Sequence, residues 1–343
     1  MIAVPQTLDS ASLKSRDRLV DLASGFEISQ AIYALAKLGV ADHLARGPGS
    51  VESLAELVGA RPRPLFRLMR FLAHAGLLTQ SESDQFGLTP LGEWLRSDVP
   101  GSARPAVISV NEAEYRAAGE LLHTIRTGET GFNHLFGMGL FDYLSANPEA
   151  GAAFNARMAA LPAKGDVLLS QFDFDSAQTV VDVGGGRGAV LATLLLAKPH
   201  LQGILADLPQ VVAEADVFLR ERGVRDRCML AGGSILESVP AGGDVYLTSA
   251  VIHTFGDPDA AKVLRNIRAV MPSHGTLLLW EFVVPPGGEP SRSKVLDLRM
   301  LYASGGVERT EPEWEELLRK TGFRFERAAS TGTVRPLVIA RPA

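Results

Sequence analysis

The chain has 343 residues, 46% of them apolar and 21% charged, with a formal net charge of −5. That composition excludes a disordered or membrane-embedded chain, and the mild acidity leaves no global field to attract nucleic acid or an anionic membrane. The length admits two domains with an ample core, and the single cysteine, Cys228, excludes an internal disulfide and any cysteine-rich metal site.

The first 20 residues mix Pro5, Asp9, Lys14, Arg16 and Asp17 with short apolar pieces, which is neither a signal peptide nor a transit peptide. No apolar run is long enough to span a bilayer, so a soluble, cytoplasmic protein is expected. Phe26 to Leu44 carries apolar positions at helical spacing, and Pro48-Gly49-Ser50 breaks the pattern. Ser53 to Val58 and Pro64 to Ala75 read as two helices joined by a short turn. Residues 76–79 and 85–89 then read as a small β-ribbon. This order is that of a winged helix-turn-helix. Between Val51 and Asp98, however, five Arg and no Lys face six acidic residues, and Arg61, Arg63, Arg67 and Arg70 are offset by acidic neighbours. DNA binders need a clear basic face, so residues 1–104 read better as a helical, winged-helix-like dimerisation domain than as a DNA-binding regulator.

Residues 105–165 read as a helical connecting region punctuated by aromatics and methionines, among them Phe141, Tyr143, Phe154 and Met158. Core packing accounts for most of these. A few, with Phe141 a candidate, can line an aromatic substrate pocket.

From residue 166 to 343 strands and helices alternate, with strands read near 179–183, 203–206, 228–231, 244–248, 275–283, 323–328 and 336–341. This is a doubly wound α/β sheet whose ligands sit at the carboxyl ends of the strands. The last two strands are too close for a helical crossover, so they form an antiparallel pair. In Val180 to Val190 an apolar run ends in the glycine cluster Gly184-Gly185-Gly186-Arg187-Gly188, and an apolar helix starts at once. Glycines let backbone approach a ligand, and the helix start offers unpaired N–H groups. Asp207, about 20 residues on and ending a second strand, can accept both hydroxyls of an adenosine ribose.

An adenosine cofactor follows from this pattern. Gly184-x-Gly186-x-x-Ala189 also satisfies the loose dinucleotide fingerprint, but three features favour S-adenosylmethionine (SAM) over NAD. The site is mid-chain, behind a long helical region. Asp182 stands where a carboxylate suits the ammonium of a methionine better than a pyrophosphate. The terminal strand is antiparallel. Beyond the cofactor motif, His253 follows the strand Asp244-Val245-Tyr246-Leu247 in a loop before the Asp257-Pro258 helix start, where it can take a proton from a hydroxyl. Glu281, read as lying inside an apolar strand, and Glu308, just before a Thr310-x-x-Glu313 capping box, are the carboxylates that strengthen it. No metal-ligand spacing stands out.

Asp182 to Gly188, Asp207-Leu208-Pro209, Gly232-Gly233, His253, Glu281-x-x-x-Pro285 and Gly305-Gly306-x-Glu308-Arg309-Thr310 match, in order and spacing, a known family. The chain resembles the SAM-dependent O-methyltransferases of caffeic-acid type, with bacterial relatives acting on aromatic natural products. The resemblance implies a Rossmann-like class I methyltransferase fold over residues 166–343 and an intertwined homodimer. It implies His253 as general base, flanked and oriented by Glu281 and Glu308. It further implies a cofactor site of Asp182, Gly184, Gly186, Asp207, Leu208, Ser234, Ile235 and Ser249, with Met158 and Met300 confining an aromatic acceptor. The chain departs from the family at Ser234 (usually an aspartate that holds the adenine amino group), at Ser249 (commonly lysine), at Thr254-Phe255 after the base and at Arg187 in the glycine loop. Alternatives are methylation of carbon or nitrogen, or a non-methylating SAM-dependent reaction.

Overall fold

The computed structural model describes residues 10–160 and 165–343, so Pro5 and Asp9 lie outside the described residues. Two compact units emerge, one from residues 1–116 with 144–162, the other from residues 117–143 with 163–343. The stretch 105–165 is thus divided between the two units.

In the first unit, the apolar run from Phe26 forms two helices, Phe26–Leu38 and Val40–Leu44, because Gly39 between them adopts φ +72°. Strand β1 (Gly49–Ser50) leads into the helix Val51–Val58, whose first turn is capped by Ser50 accepting from the Ser53 amide. Proline opens the next helix, Pro62–His74, which buries Leu65, Met69 and Leu72 on one face. Strands β2 (Leu78–Gln80) and β3 (Gln85–Leu88) pair antiparallel and β1 joins the other side of β3. The winged-helix order read from sequence is present. A buried ion pair, Arg157 Nη1 to Glu114 Oε1 at 2.6 Å, ties the helix Pro148–Ala160 to the π-helical turn Val110–Glu114 within this unit.

The second unit is built on seven strands: β4 (Thr179–Val183), β5 (Gln202–Asp207), β6 (Cys228–Gly232), β7 (Val245–Ser249), β8 (Thr276–Trp280), β9 (Phe323–Ala329) and β10 (Leu337–Pro342). Their order is β6-β5-β4-β7-β8-β10-β9, parallel throughout except that β10 runs antiparallel to both β8 and β9. The expected terminal antiparallel pair is therefore present. Alternate side chains feed two cores. Val180, Leu247 and Trp280 pack on one face with Leu191 and Leu195 of the helix Ala189–Ala197. Val181, Tyr246 and Leu279 pack on the other with Leu264 and Trp314. Because the chain runs outward from β4 in both directions, the topological switch point lies between β4 and β7, where such sheets bind ligands. Strand β8 stops at Trp280, so Glu281 is the first residue beyond the strand and not inside it. No helix among the described residues is long and apolar enough to cross a membrane.

Candidate active site

The expected cofactor residues fall at the carboxyl ends of four adjacent strands, β6, β5, β4 and β7. Gly184, φ +71°, follows β4 and donates its N–H to Ala206 O at 2.7 Å. Gly186, φ +58°, donates to Asp207 Oδ2 at 2.8 Å, and the space where a side chain would project is open. That φ favours glycine, and the open space leaves backbone for a ligand to approach. Arg187 does not fill it: its guanidinium lies 5.0 Å over the Phe218 ring. Asp207 Oδ1 accepts from the Leu208 amide at 2.7 Å, so each carboxylate oxygen keeps a lone pair for a hydroxyl. Burial raises the Asp207 pKa, against its two backbone donors. Leu208 is half-exposed beside it, at the start of the helix Pro209–Glu221. Ser234 and Ile235 follow β6, where the Ser234 carbonyl closes a turn with the Glu237 amide and the Ile235 carbonyl accepts from Asn266 Nδ2.

Asp182 tests whether these residues fit SAM. It is 1% exposed, and neither carboxylate oxygen has a hydrogen-bond partner among the described residues. Burial, and second the charge of Asp207, push its pKa up to about 7; the Leu191 amide, outside hydrogen-bond geometry, opposes the rise only partly. A buried unpaired carboxylate beside a glycine loop is complementary to an ammonium group, so the residues fit the cofactor. An ammonium partner favours the ionised form. Below about pH 7, cofactor binding should therefore release a proton from Asp182. Titration calorimetry in buffers of different ionisation heat reads this, and Asp182→Asn should abolish it; buffer-independent heats in the wild type at pH 6 would refute it.

The turn after β7 carries the base candidate. Ala250 takes φ +56°, a left-handed conformation rare for a residue with a side chain, and Ile252–Thr254 form one 3₁₀ turn. His253 is 8% exposed, with Nδ1 2.6 Å from Glu308 Oε1 and Nε2 3.1 Å from Ala250 O. Its largest single influence is burial, which lowers the pKa. The Glu308 hydrogen bond, the charges of Glu281 and Glu308 and the Ala250 carbonyl together outweigh it, and the net shift is upward. With an acceptor on each ring nitrogen, the arrangement favours the imidazolium.

The two carboxylates make different contacts. Glu308 touches the imidazole; its own amide is held by Asp297 Oδ1 at 3.0 Å. Glu281 is 0% exposed and its Oε1 accepts from Thr248 Oγ1 (3.1 Å) and the amides of Val251 (2.9 Å) and Ile252 (3.0 Å). It fixes the backbone of the turn and reaches His253 only through that turn and through its charge. Leaving β8 at Trp280 is what allows this reach. Arg309 closes the far side: its guanidinium binds Asp257 Oδ1 at 2.7 Å and the carbonyls of Val307 and Phe255.

Of the expected acceptor residues, Met300 is half-buried on the helix Arg292–Ala303 with its sulfur 3.6 Å from Ser304 Oγ, and Phe141 is 42% exposed on the helix Leu140–Ala146. Met158, 41% exposed, belongs to the other compact unit. Sequence reading missed the Ala250 carbonyl, since a main-chain acceptor leaves no signature in residue type. It also missed Thr248, Asp297 and Arg335, whose Nη1 donates to Ser249 Oγ at 3.3 Å from 86 residues away. No metal site was expected, yet His123, Glu129 and His134 bring ligand atoms within 4.8 Å of one another; the two imidazoles stack at 3.7 Å and His123 Nε2 lies 2.9 Å from Glu129.

Comparison with known proteins bears on this geometry. Residues 119–324 match the O-methyltransferase domain and residues 20–98 the O-methyltransferase dimerisation domain. The chain is 41% identical over 325 residues to the phenazine O-methyltransferase PhzM of Lysobacter antibioticus, covering 94% of this chain and 95% of that one. It is 30% identical to the phenazine-1-carboxylate N-methyltransferase of Pseudomonas aeruginosa, covering 97% and 99%. Among solved structures, NcsB1 from neocarzinostatin biosynthesis, in complex with SAM and 2-hydroxy-5-methyl naphthoic acid, superposes with a TM-score of 0.84 at 31% identity, covering 92% and 96%. The seven-stranded sheet, its glycine loop and both matched domains agree: the chain belongs to the O-methyltransferase family and is a SAM-dependent methyltransferase.

Proposed function

We propose that the chain methylates a phenolic or related hydroxyl on an aromatic natural-product intermediate, with His253 as general base. One observation carries the reading. A buried imidazole, locked through Nδ1 to Glu308, stands at the same carboxyl edge of the sheet as the glycine loop. A phenol has a pKa of about 10, so its oxygen is a poor nucleophile until a base takes the proton. SAM, when bound, supplies an electrophilic methyl on a sulfonium sulfur. Nδ1–H donated to Glu308 fixes the tautomer, leaving Nε2 to receive the hydroxyl proton while the O–H bonding pair stays on oxygen. The acceptor hydroxyl takes the place of the Ala250 carbonyl at Nε2, and that carbonyl then regains the new N–H. Glu308 offsets the charge of the imidazolium formed. Positioning carries the rest.

Since the His253 pKa is raised above its ordinary 6.5, the neutral base grows in only as pH passes that higher value. kcat/KM should rise with pH through a midpoint above 6.5. Glu308→Gln should move that midpoint down and slow the reaction, because it removes the charge that favours the imidazolium. A midpoint unmoved by Glu308→Gln would assign the titration to another group.

The site of transfer is tested with SAM carrying a ¹³C methyl and a panel of hydroxyphenazines and hydroxynaphthoates. NMR of the products places the label on oxygen if the reading is right. Label on nitrogen would favour a second reading, which the N-methyltransferase relative motivates. The match to a dimerisation domain and the exposure of Leu19, Val20, Leu22 and Phe26 near it support a homodimer, with twice the 36.6 kDa chain mass in light scattering. A monomer at working concentration would refute that assembly.

A further inference from the structure

Arg335 is a cation built into the carboxyl edge of the sheet, and no carboxylate among the described residues pairs with it. It stands two residues before Leu337, which opens β10 opposite Trp280 of β8. Its main chain is pinned in place. The Arg335 carbonyl accepts from Trp280 Nε1 (3.0 Å), Thr331 Oγ1 (2.6 Å) and Thr333 Oγ1 (3.1 Å), and its amide donates to Thr333 Oγ1 (3.2 Å). The guanidinium carbon then lies 4.0 Å from the centre of the Trp280 ring and 5.8 Å from that of the Phe282 ring, with Nη1 donating to Ser249 Oγ. Among the described residues no carboxylate lies within ion-pair distance, and only one of the five N–H donors is used by a side chain. The charges of Glu281 and Glu308 act on it from further off, while burial pulls its pKa below that of an ordinary arginine.

Strand alternation puts this cation on the same side of the sheet as Asp182. Val180 on β4, Val245 and Leu247 on β7 and Trp280 on β8 all enter one core, so Asp182 and Ser249, each two residues on, belong to that face. Among the described residues, a buried acid without a base on β4 and a partly buried base without an acid, which reaches the end of the adjoining strand β7 through Ser249, thus lie on one face of the sheet. An amino acid end is the ligand chemistry that answers both, because its ammonium and carboxylate are separated by one carbon. Ser249 stands where the resemblance implied a lysine, and Arg335 Nη1 reaches its Oγ from just before β10.

We propose that Arg335, together with Ser249, receives the carboxylate of the methionyl end of SAM while Asp182 takes its ammonium. The inference rests on the cofactor reading and adds to it a positioning arginine that lies outside the motifs read from the sequence. Bidentate guanidinium–carboxylate pairing and its loss on substitution by a neutral side chain set the expected effect.

The test is titration calorimetry with S-adenosylhomocysteine and with 5′-methylthioadenosine, which keeps the adenosine and the thioether sulfur but lacks the amino acid end. Arg335→Gln should weaken S-adenosylhomocysteine binding about 10–100-fold. It should leave methylthioadenosine binding within about twofold of the wild type. Arg335→Lys should recover part of the loss, and adding Ser249→Lys to Arg335→Gln should recover it by restoring a cation at the same point. Equal weakening of both ligands would overturn the proposal and make Arg335 a support of the fold; unchanged binding of both would also overturn it. If the wild-type protein bound neither adenosine ligand, the cofactor reading itself would fall. A wild type that binds S-adenosylhomocysteine, with a variant that binds it equally well, would sink the arginine alone.

Discussion

His253→Ala is expected to lower kcat by about 10²–10⁴-fold, the usual contribution of a positioned general base, while S-adenosylhomocysteine binds as in the wild type. The separation of the two effects follows from the structure. The residues expected to hold adenosine are carried by β4, β5 and β6 and by backbone donors of the glycine loop, none of which uses the imidazole. Removing the ring also leaves the Glu308 carboxylate, 3% exposed, with an empty partner position, so some loss of thermal stability should accompany the loss of rate. The measurement is turnover of an identified acceptor alongside calorimetric binding. Full activity in the variant would remove His253 from the role of base. Residual turnover should lose the ascending pH limb of the wild type, since the group responsible for it is gone.

Gly306→Ala is expected to cost on the order of 10²-fold in turnover although residue 306 need not touch a substrate. A β-carbon at Gly306 would fall 2.1 Å from His253 O, 2.7 Å from Thr254 C and 2.9 Å from Thr254 Cα. These are backbone atoms that cannot rotate aside, so one of the two loops has to move. They are stitched together at this point by Val307 N donating to His253 O at 2.9 Å, and Glu308 follows directly. A shift of about an ångström is enough to break the 2.6 Å contact between Glu308 and the imidazole. The expected signature is a lower rate and a His253 pKa moved downward, with cofactor affinity retained. Gly288→Ala, where nothing lies within 4 Å of an added β-carbon, is the control and should be silent. Wild-type turnover in Gly306→Ala would show that the loop contact does not set the geometry of the base.

Glu281 shows how far sequence reading carries. An acid beside an apolar strand had to be paired or placed at the strand end, and the structure puts it one residue past the end with three donors on one oxygen. Its place differs from the expected one, inside the strand, because a strand boundary is a property of the whole ladder. Leu337 pairs opposite Trp280, so the pairing of β10 and not local residue preference ends β8 there. Likewise the helical pattern of Phe26 to Leu44 was legible, but the break at Gly39 was not, since a single glycine can sit within a helix as well as end one.

By itself the sequence determined whatever is local and periodic. Alternation and helical spacing set the elements, the glycine cluster and the acid about 20 residues on pointed to an adenosine cofactor, and the short gap before the last strand required an antiparallel return. The ordered motifs sufficed to name the family. Only the tertiary structure decided which side chains meet. Glu308 lies 55 residues from His253 and Arg335 lies 86 from Ser249, and no spacing rule spans such loops. It also decided the different contacts of Glu281 and Glu308, the carbonyl on Nε2 and, among the described residues, the absence of a partner for Asp182. The physical reason is common to all of these. Local structure follows from sterics and hydrophobic period within a few residues. Hydrogen bonds, burial and pKa depend on atoms that only the packed sheet brings together.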